Sequence, residues 1–237
     1  MIDSRSKQVS RRDFLGVTSL AAFGFSTGAA TALAAAGGTN LTADQGLQRL
    51  IAGNARFVGG AMECKNVSDA RRAELASGQA PFALVLSCAD SRVPPELVFD
   101  QGLGDIFVVR VAGNIASPAA IGSIEYAVEH LHVPLILVLG HDKCGAVAAT
   151  IDIVKTNGHA AGQVQFIVDA ITPAVKRAQG QTGDLLDNAI RDNVSLVASA
   201  LRASQPILAP AVGSGKLKIV GGVYRFSTGV VDLMGEG

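Results

Sequence analysis

Two patterns of apolar residues alternate along the chain. Nearly unbroken aliphatic runs occupy 82–87, 106–111, 135–140 and 217–223, each set off by turn residues such as Pro81, Gly104, Pro134 and Gly215. Short runs without in–out alternation suit strands buried on both faces, the habit of a parallel sheet. Between them, apolar residues recur at helical spacing. Leu47, Leu50, Ile51 and Ala55 mark a helix over 43–57, and a charged helix follows over 69–76. Further helices are predicted over 119–131, 146–155, 164–178 and 185–204, with Pro206 and Pro210 breaking the chain after the last. Alternating strand and helix predicts an α/β fold, a single domain with a mainly parallel central β-sheet flanked by helices. The closing pieces 223–226 and 230–233 could add an antiparallel edge.

The chemistry stands at the ends of two of these strands. Cys88-Ala89-Asp90-Ser91-Arg92 follows the first run directly, and His141-Asp142-Lys143-Cys144 follows the third. In open parallel sheets ligands gather beyond the carboxyl ends of the strands. Two thiols and an imidazole brought there match the donor set of a catalytic zinc site with one position open. A helix starting near Lys143 would put His141 and Cys144 on one side of its first turn. Taken singly, each residue has an ordinary alternative: a buried cysteine is a small apolar side chain, and a histidine can be satisfied by a carbonyl. Their pairing in a chain with only three cysteines favours a metal. Asp90 is placed either to take the fourth position or to accept a hydrogen bond from bound water. Arg92 can hold it through two parallel bonds.

The pattern C-x-D-S-R at 88–92, followed by H-x-x-C-G at 141–145, resembles the β-class carbonic anhydrases. The likeness extends to Asn54-Ala55-Arg56-Phe57, to Phe107-Val108-Val109-Arg110, to Ala112-Gly113-Asn114, and to Tyr224 with Thr228-Gly229-Val230. It therefore runs from about Leu41 to the C-terminus. The resemblance implies Zn2+, one per subunit, on Cys88, His141 and Cys144. It also implies a catalytic Asp90–Arg92 dyad whose aspartate orients zinc-bound hydroxide. The plant-type subgroup lines its substrate pocket with a Gln, a Phe and a Tyr, which fall on Gln79, Phe107 and Tyr126. Gln79 would offer an amide N–H to bicarbonate, and the two rings would keep the pocket narrow. Read from the residues alone, Phe107 and Tyr126 suit core packing as well, and Gln79 suits an exposed loop.

The activity so implied is reversible hydration of carbon dioxide to bicarbonate and a proton, with CO2 and bicarbonate as small-molecule partners. Two thiolates cancel the formal charge of the ion, so its water should be less acidic than on three neutral histidines. Activity is then expected to rise toward mildly alkaline pH. A homodimer or homotetramer is implied as well, with the N-terminal helix crossing to the neighbour. Hydrolysis of CS2 or COS on the same scaffold, and a periplasmic zinc-binding protein without turnover, are the alternatives. The presence of both Asp90 and Arg92 favours an enzyme.

Charge and composition narrow the partners. Lys plus Arg and Asp plus Glu both number 20, giving zero net charge. No basic run occurs outside the first residues, so neither nucleic acid nor an anionic membrane surface is expected. A mean hydropathy of +0.35 hints at buried subunit contacts. Ser10-Arg11-Arg12-Asp13-Phe14-Leu15 is a twin-arginine pattern, followed by a mildly apolar stretch to about Leu33 and small-residue cleavage sites within 32–36. The expected division is a signal peptide over 1–36 and the catalytic domain over 37–237, with export to the periplasm and membrane contact only during export. A retained anchor is the alternative, since the stretch approaches the ~20 residues of a span, though Gly and Thr weaken it for that role. With Cys88 and Cys144 given to metal, Cys64 stands alone, so no internal disulfide is expected. His130, His132 and His159 receive no role.

Overall fold

The computed structural model describes residues 38–63 and 67–235; the leader and Cys64 lie outside the described residues. Helix α1, Ala43–Val58, opens on a capping box in which Thr42 and Gln45 each bond the other's backbone. Helix α2, Asp69–Leu75, starts at the Ser68 cap. Strand β1, Ala83–Ser87, leads to a short α3, Pro95–Val98, and then to β2, Ile106–Arg110. A 3-10 turn over Ala112–Asn114 precedes α4, Pro118–His130, and β3, Leu135–His141. Helices α5, Gly145–Thr156, α6, Val164–Ala178, α7, Leu185–Arg202, and α8, Leu208–Gly213, follow. The described chain closes on β4, Lys218–Tyr224, and β5, Val231–Met234.

The sheet runs in the order β2-β1-β3-β4-β5. The first four strands are parallel and β5 is antiparallel to β4, with Tyr224 opposite Val231. Both faces of the central strands are covered. Leu84, Leu86, Ile136 and Val138 pack toward α4, α5, α6 and α7, while Val85, Leu135, Leu137 and Leu139 pack toward α1 and α3. Burying each such aliphatic side chain contributes roughly 1.5–3 kcal/mol, which is why β1 and β3 form the rigid floor of the site.

Helix α1 approaches the rest of the fold closely at Gly53, where a Cβ would lie 1.8 Å from the Phe99 carbonyl oxygen. Beside it, Asn54 donates to the carbonyls of Val98 (3.1 Å) and Gly229 (2.9 Å) and accepts from the Val231 N–H (3.0 Å). One buried amide thus joins α1 to α3 and to the β4–β5 turn.

Three details depart from the sequence reading. No helix starts at Lys143: His141 is the last residue of β3, Lys143 takes a left-handed conformation (φ 52°), and α5 begins at Gly145 with Cys144 as its cap. His141 and Cys144 are therefore brought together by a tight turn and not by a helical face. Residues 223–224 belong to one continuous β4, because β3 carries their backbone pairing through Tyr224. The short elements α3, α8 and the 3-10 turn span too few residues to show a period.

Candidate metal centre

The carboxyl ends of β1 and β3 deliver three donor atoms to one point. The Cys88 sulfur, the Cys144 sulfur and a ring nitrogen of His141 all lie within 4.8 Å of one another, and all three residues are buried. The His141 Nδ1–H donates to the Asp142 carbonyl at 2.8 Å. That bond leaves the lone pair on Nε2, which is buried with no hydrogen-bond partner. A buried polar atom without a partner is costly, and a carbonyl that fixes the tautomer while the other nitrogen is left for a metal is the usual outer support of such a ligand. The donor set and the orphaned nitrogen fit a zinc ion with one position open.

The two thiols share one proton unequally, with Cys88 the one prepared for ionisation. The Cys88 Sγ accepts the Gly113 N–H at 3.2 Å. A hydrogen bond from the Cys144 thiol, with help from the Gly113 N–H, pulls Cys88 down to about 4 against the cost of burial. The same sulfur–sulfur bond and burial push Cys144 up, opposed by the backbone of Ala146 and Val147 at the start of α5. A dication at this point favours the thiolate form of both.

Asp90 borders the cluster. Its Oδ2 is 3.8 Å from His141 Nε2. Arg92 grips it in a fork, Nε to Oδ1 at 2.9 Å and Nη2 to Oδ2 at 2.7 Å, and the Arg92 backbone N–H adds a third bond to Oδ1. Those bonds hold the carboxyl well below its usual range despite partial burial, so it stays an acceptor.

Several supporting residues receive no role from the sequence. Arg110 donates to the Cys88 carbonyl at 3.0 Å and also to that of Asp90, bracing the loop from the neighbouring strand. Asn193 on α7, nearly fully buried, donates to the Gly113 carbonyl at 2.8 Å. Phe226 lies under Arg92, whose guanidinium carbon is 4.2 Å from the ring centroid. None carries a local signal, because each acts across 20 residues or more of sequence.

The three pocket candidates stand on separate parts of the fold. Gln79 lines a surface hollow with Arg72, Leu75 and Leu103. Phe107 is half-buried on the edge strand β2, packed against the helix-side core. Tyr126 is 42% exposed on α4, its ring 5.1 Å from that of His130. Among the described residues, no hydrogen bond or ring contact joins any of them to the metal cluster.

Comparison with known proteins places this geometry in a family. A family model described as carbonic anhydrase matches residues 83–231. The chain is 42% identical over 177 residues to carbonic anhydrase 2 of Mycobacterium tuberculosis, covering 75% of this chain and 86% of that protein. It is likewise 42% identical over 181 residues to the carbonic anhydrase of Mycolicibacterium smegmatis, covering 76% and 88%. Among solved structures, the β-carbonic anhydrase of Coccomyxa in complex with acetazolamide aligns with a TM-score of 0.61 at 28% identity, over 79% of this chain and 86% of that one. A tetrameric β-carbonic anhydrase of Sordaria macrospora aligns with a TM-score of 0.62 at 26% identity, over 81% and 98%. A parallel sheet presenting two cysteines and a histidine at its strand ends, over a match of this length, establishes that the chain belongs to the β-class carbonic anhydrases.

Proposed function

We propose that this protein carries out the reversible hydration of carbon dioxide with Cys88, His141 and Cys144 holding zinc, Asp90 orienting the nucleophile and Arg92 positioning Asp90. The observation that carries the reading is the buried, partnerless His141 Nε2 facing two sulfurs within 4.8 Å. Zinc bound there supplies a Lewis acid that brings the pKa of a water molecule toward neutrality. Asp90, ionised and clamped, accepts a hydrogen bond from the attacking oxygen and so directs its free lone pair. Arg92 keeps that carboxylate from the open position by occupying both of its oxygens. Gln79, Phe107 and Tyr126 are proposed as the substrate-facing residues on the strength of the family pattern. The test is stopped-flow CO2 hydration on zinc-analysed protein beside Asp90→Ala. A fast, zinc-dependent rate in the parent, falling roughly 100-fold or more in the variant with zinc retained, is expected. Full zinc occupancy without turnover in the parent would overturn the reading.

Export and assembly complete the proposal. Residues 1–36 carry Arg11-Arg12, an apolar stretch and small-residue cleavage sites, which supports passage through the twin-arginine route to the periplasm. Replacing Arg11 and Arg12 together by lysine should leave the protein unexported in cell fractionation, and unchanged export would refute the leader. Assembly into dimers or tetramers is supported by the half-exposed apolar face of β2, by exposed Ile51, Val58, Val230 and Leu233 around an apolar hollow of about 550 Å³, and by tetramers among the related structures. No helix among the described residues is long and apolar enough to cross a membrane.

A further inference from the structure

The ring of Phe226 touches both halves of the centre. Its face is 4.2 Å from the Arg92 guanidinium carbon, and its centroid is 5.6 Å from that of the His141 ring, in an edge arrangement. Arg92 belongs to the loop after β1, His141 to the end of β3, and Phe226 to the turn leaving β4. The ring is fixed from three sides. Its backbone N–H donates to Asp142 Oδ1 at 3.1 Å, and the Asp142 N–H donates to the Tyr224 carbonyl at 2.9 Å. Tyr224 meets it edge-on at 5.4 Å. The preceding Arg225 is tied to Asp187 on α7 and to Asp232 on β5.

Arg92 has need of such a seat. Its side chain is 55% exposed, and a solvated arginine–carboxylate pair holds its geometry weakly. A guanidinium lying flat on an aromatic face gains a cation–π contact and loses freedom to swing into water. With Arg92 on the ring, its fork faces Asp90. Without the ring, Asp90 Oδ2, already 3.8 Å from His141 Nε2, is free to turn into the space the metal and its open position would take.

We propose that Phe226 is a positioning residue of this enzyme: its ring seats Arg92, and through Arg92 it keeps the Asp90 carboxylate off the metal. The proposal rests on the reading of Asp90 and Arg92 given above. It assigns to an aromatic side chain on the β4–β5 turn a share in whether the fourth zinc position is open.

The test compares the full-length parent with Phe226→Leu, Phe226→Met and Phe226→Tyr. In the zinc proteins, the Arg92 Nε–H proton resonance, identified by its loss in Arg92→Lys, reports whether the guanidinium still lies on a ring. In the cobalt-substituted proteins at one fixed pH, the visible spectrum reports entry of a carboxylate. The expected result is loss of the ring-current shift and a changed cobalt spectrum in the Leu and Met variants. Their kcat should fall roughly three- to ten-fold with KM for CO2 within about two-fold, as loss of a partly exposed cation–π contact predicts. The Tyr variant should restore all three. An unchanged cobalt spectrum and kcat in the Leu and Met variants would overturn the proposal, as would equal losses in the Tyr variant. If the parent itself binds zinc without hydrating CO2, the functional reading fails first, whereas an active parent with indifferent Phe226 variants sinks only the seat.

Discussion

At the scale of single residues, the centre depends on side chains that never touch the metal. Gly113 adopts φ 68°, and a Cβ there would lie 2.6 Å from Ile171 Cδ1. Glycine adopts this left-handed conformation without strain, and its N–H points to the Cys88 sulfur. Gly113→Ala should cost about 1–3 kcal/mol in urea unfolding through backbone strain alone, and weaken zinc binding as the N–H moves away. Asn193 holds the other side of the same residue, through the Gly113 carbonyl. Asn193→Ala is expected to lower zinc affinity about 10–100-fold, the range for losing an outer support of a ligand, measured by competition with a chromogenic chelator. An Asn193→Ala protein with parental affinity would show that the Gly113 peptide holds its place without it.

At the scale of elements, the β4–β5 turn carries Phe226 and is fastened by side chains from two helices. Asn54 fastens it from α1 and Arg225 from α7. Asn54→Ala leaves two carbonyls and one N–H without their partner, and should destabilise the fold by about 2–4 kcal/mol in chemical denaturation. Burial pushes the Asp187 carboxyl up, but bonds from Arg225 and Arg191 outweigh it and hold the folded value below the usual one. A lowered folded pKa contributes stability that is present above the unfolded value of about 4 and is lost as pH falls through the folded one. The contribution is small because the pair is partly solvated. Asp187→Asn should therefore narrow the stability gap between pH 6 and pH 3 relative to the parent. An identical pH dependence in the two proteins would show that the Arg225 bonds contribute nothing.

At the scale of the whole molecule, the metal joins β1 to the β3–α5 turn, two segments with more than 50 residues between Cys88 and His141. A ligand bound only by the folded state stabilises it by mass action. Stripping zinc with a chelator should lower Tm by about 5–10 °C where free zinc had stood ~100-fold above Kd. An unshifted Tm would mean that the strand ends are held together by packing alone.

Much of this protein is legible in its sequence. The unbroken apolar runs follow from a sheet buried on both faces, and their order with the helices determined the α/β layering. The zinc donors were legible because strand ends bring chemistry to one rim, so that Cys88, Asp90, Arg92, His141 and Cys144 stood out by position as well as type. What tertiary structure alone decided was how the donors are held. The left-handed turn at Lys143 is set by the end of β3 and the start of α5, and no helical period announces it. Gly113, Asn193, Arg110 and Phe226 reach the centre from other elements. A side chain's value there depends on distances in space that spacing along the chain does not encode. Only folding brought the Phe226 ring beneath Arg92.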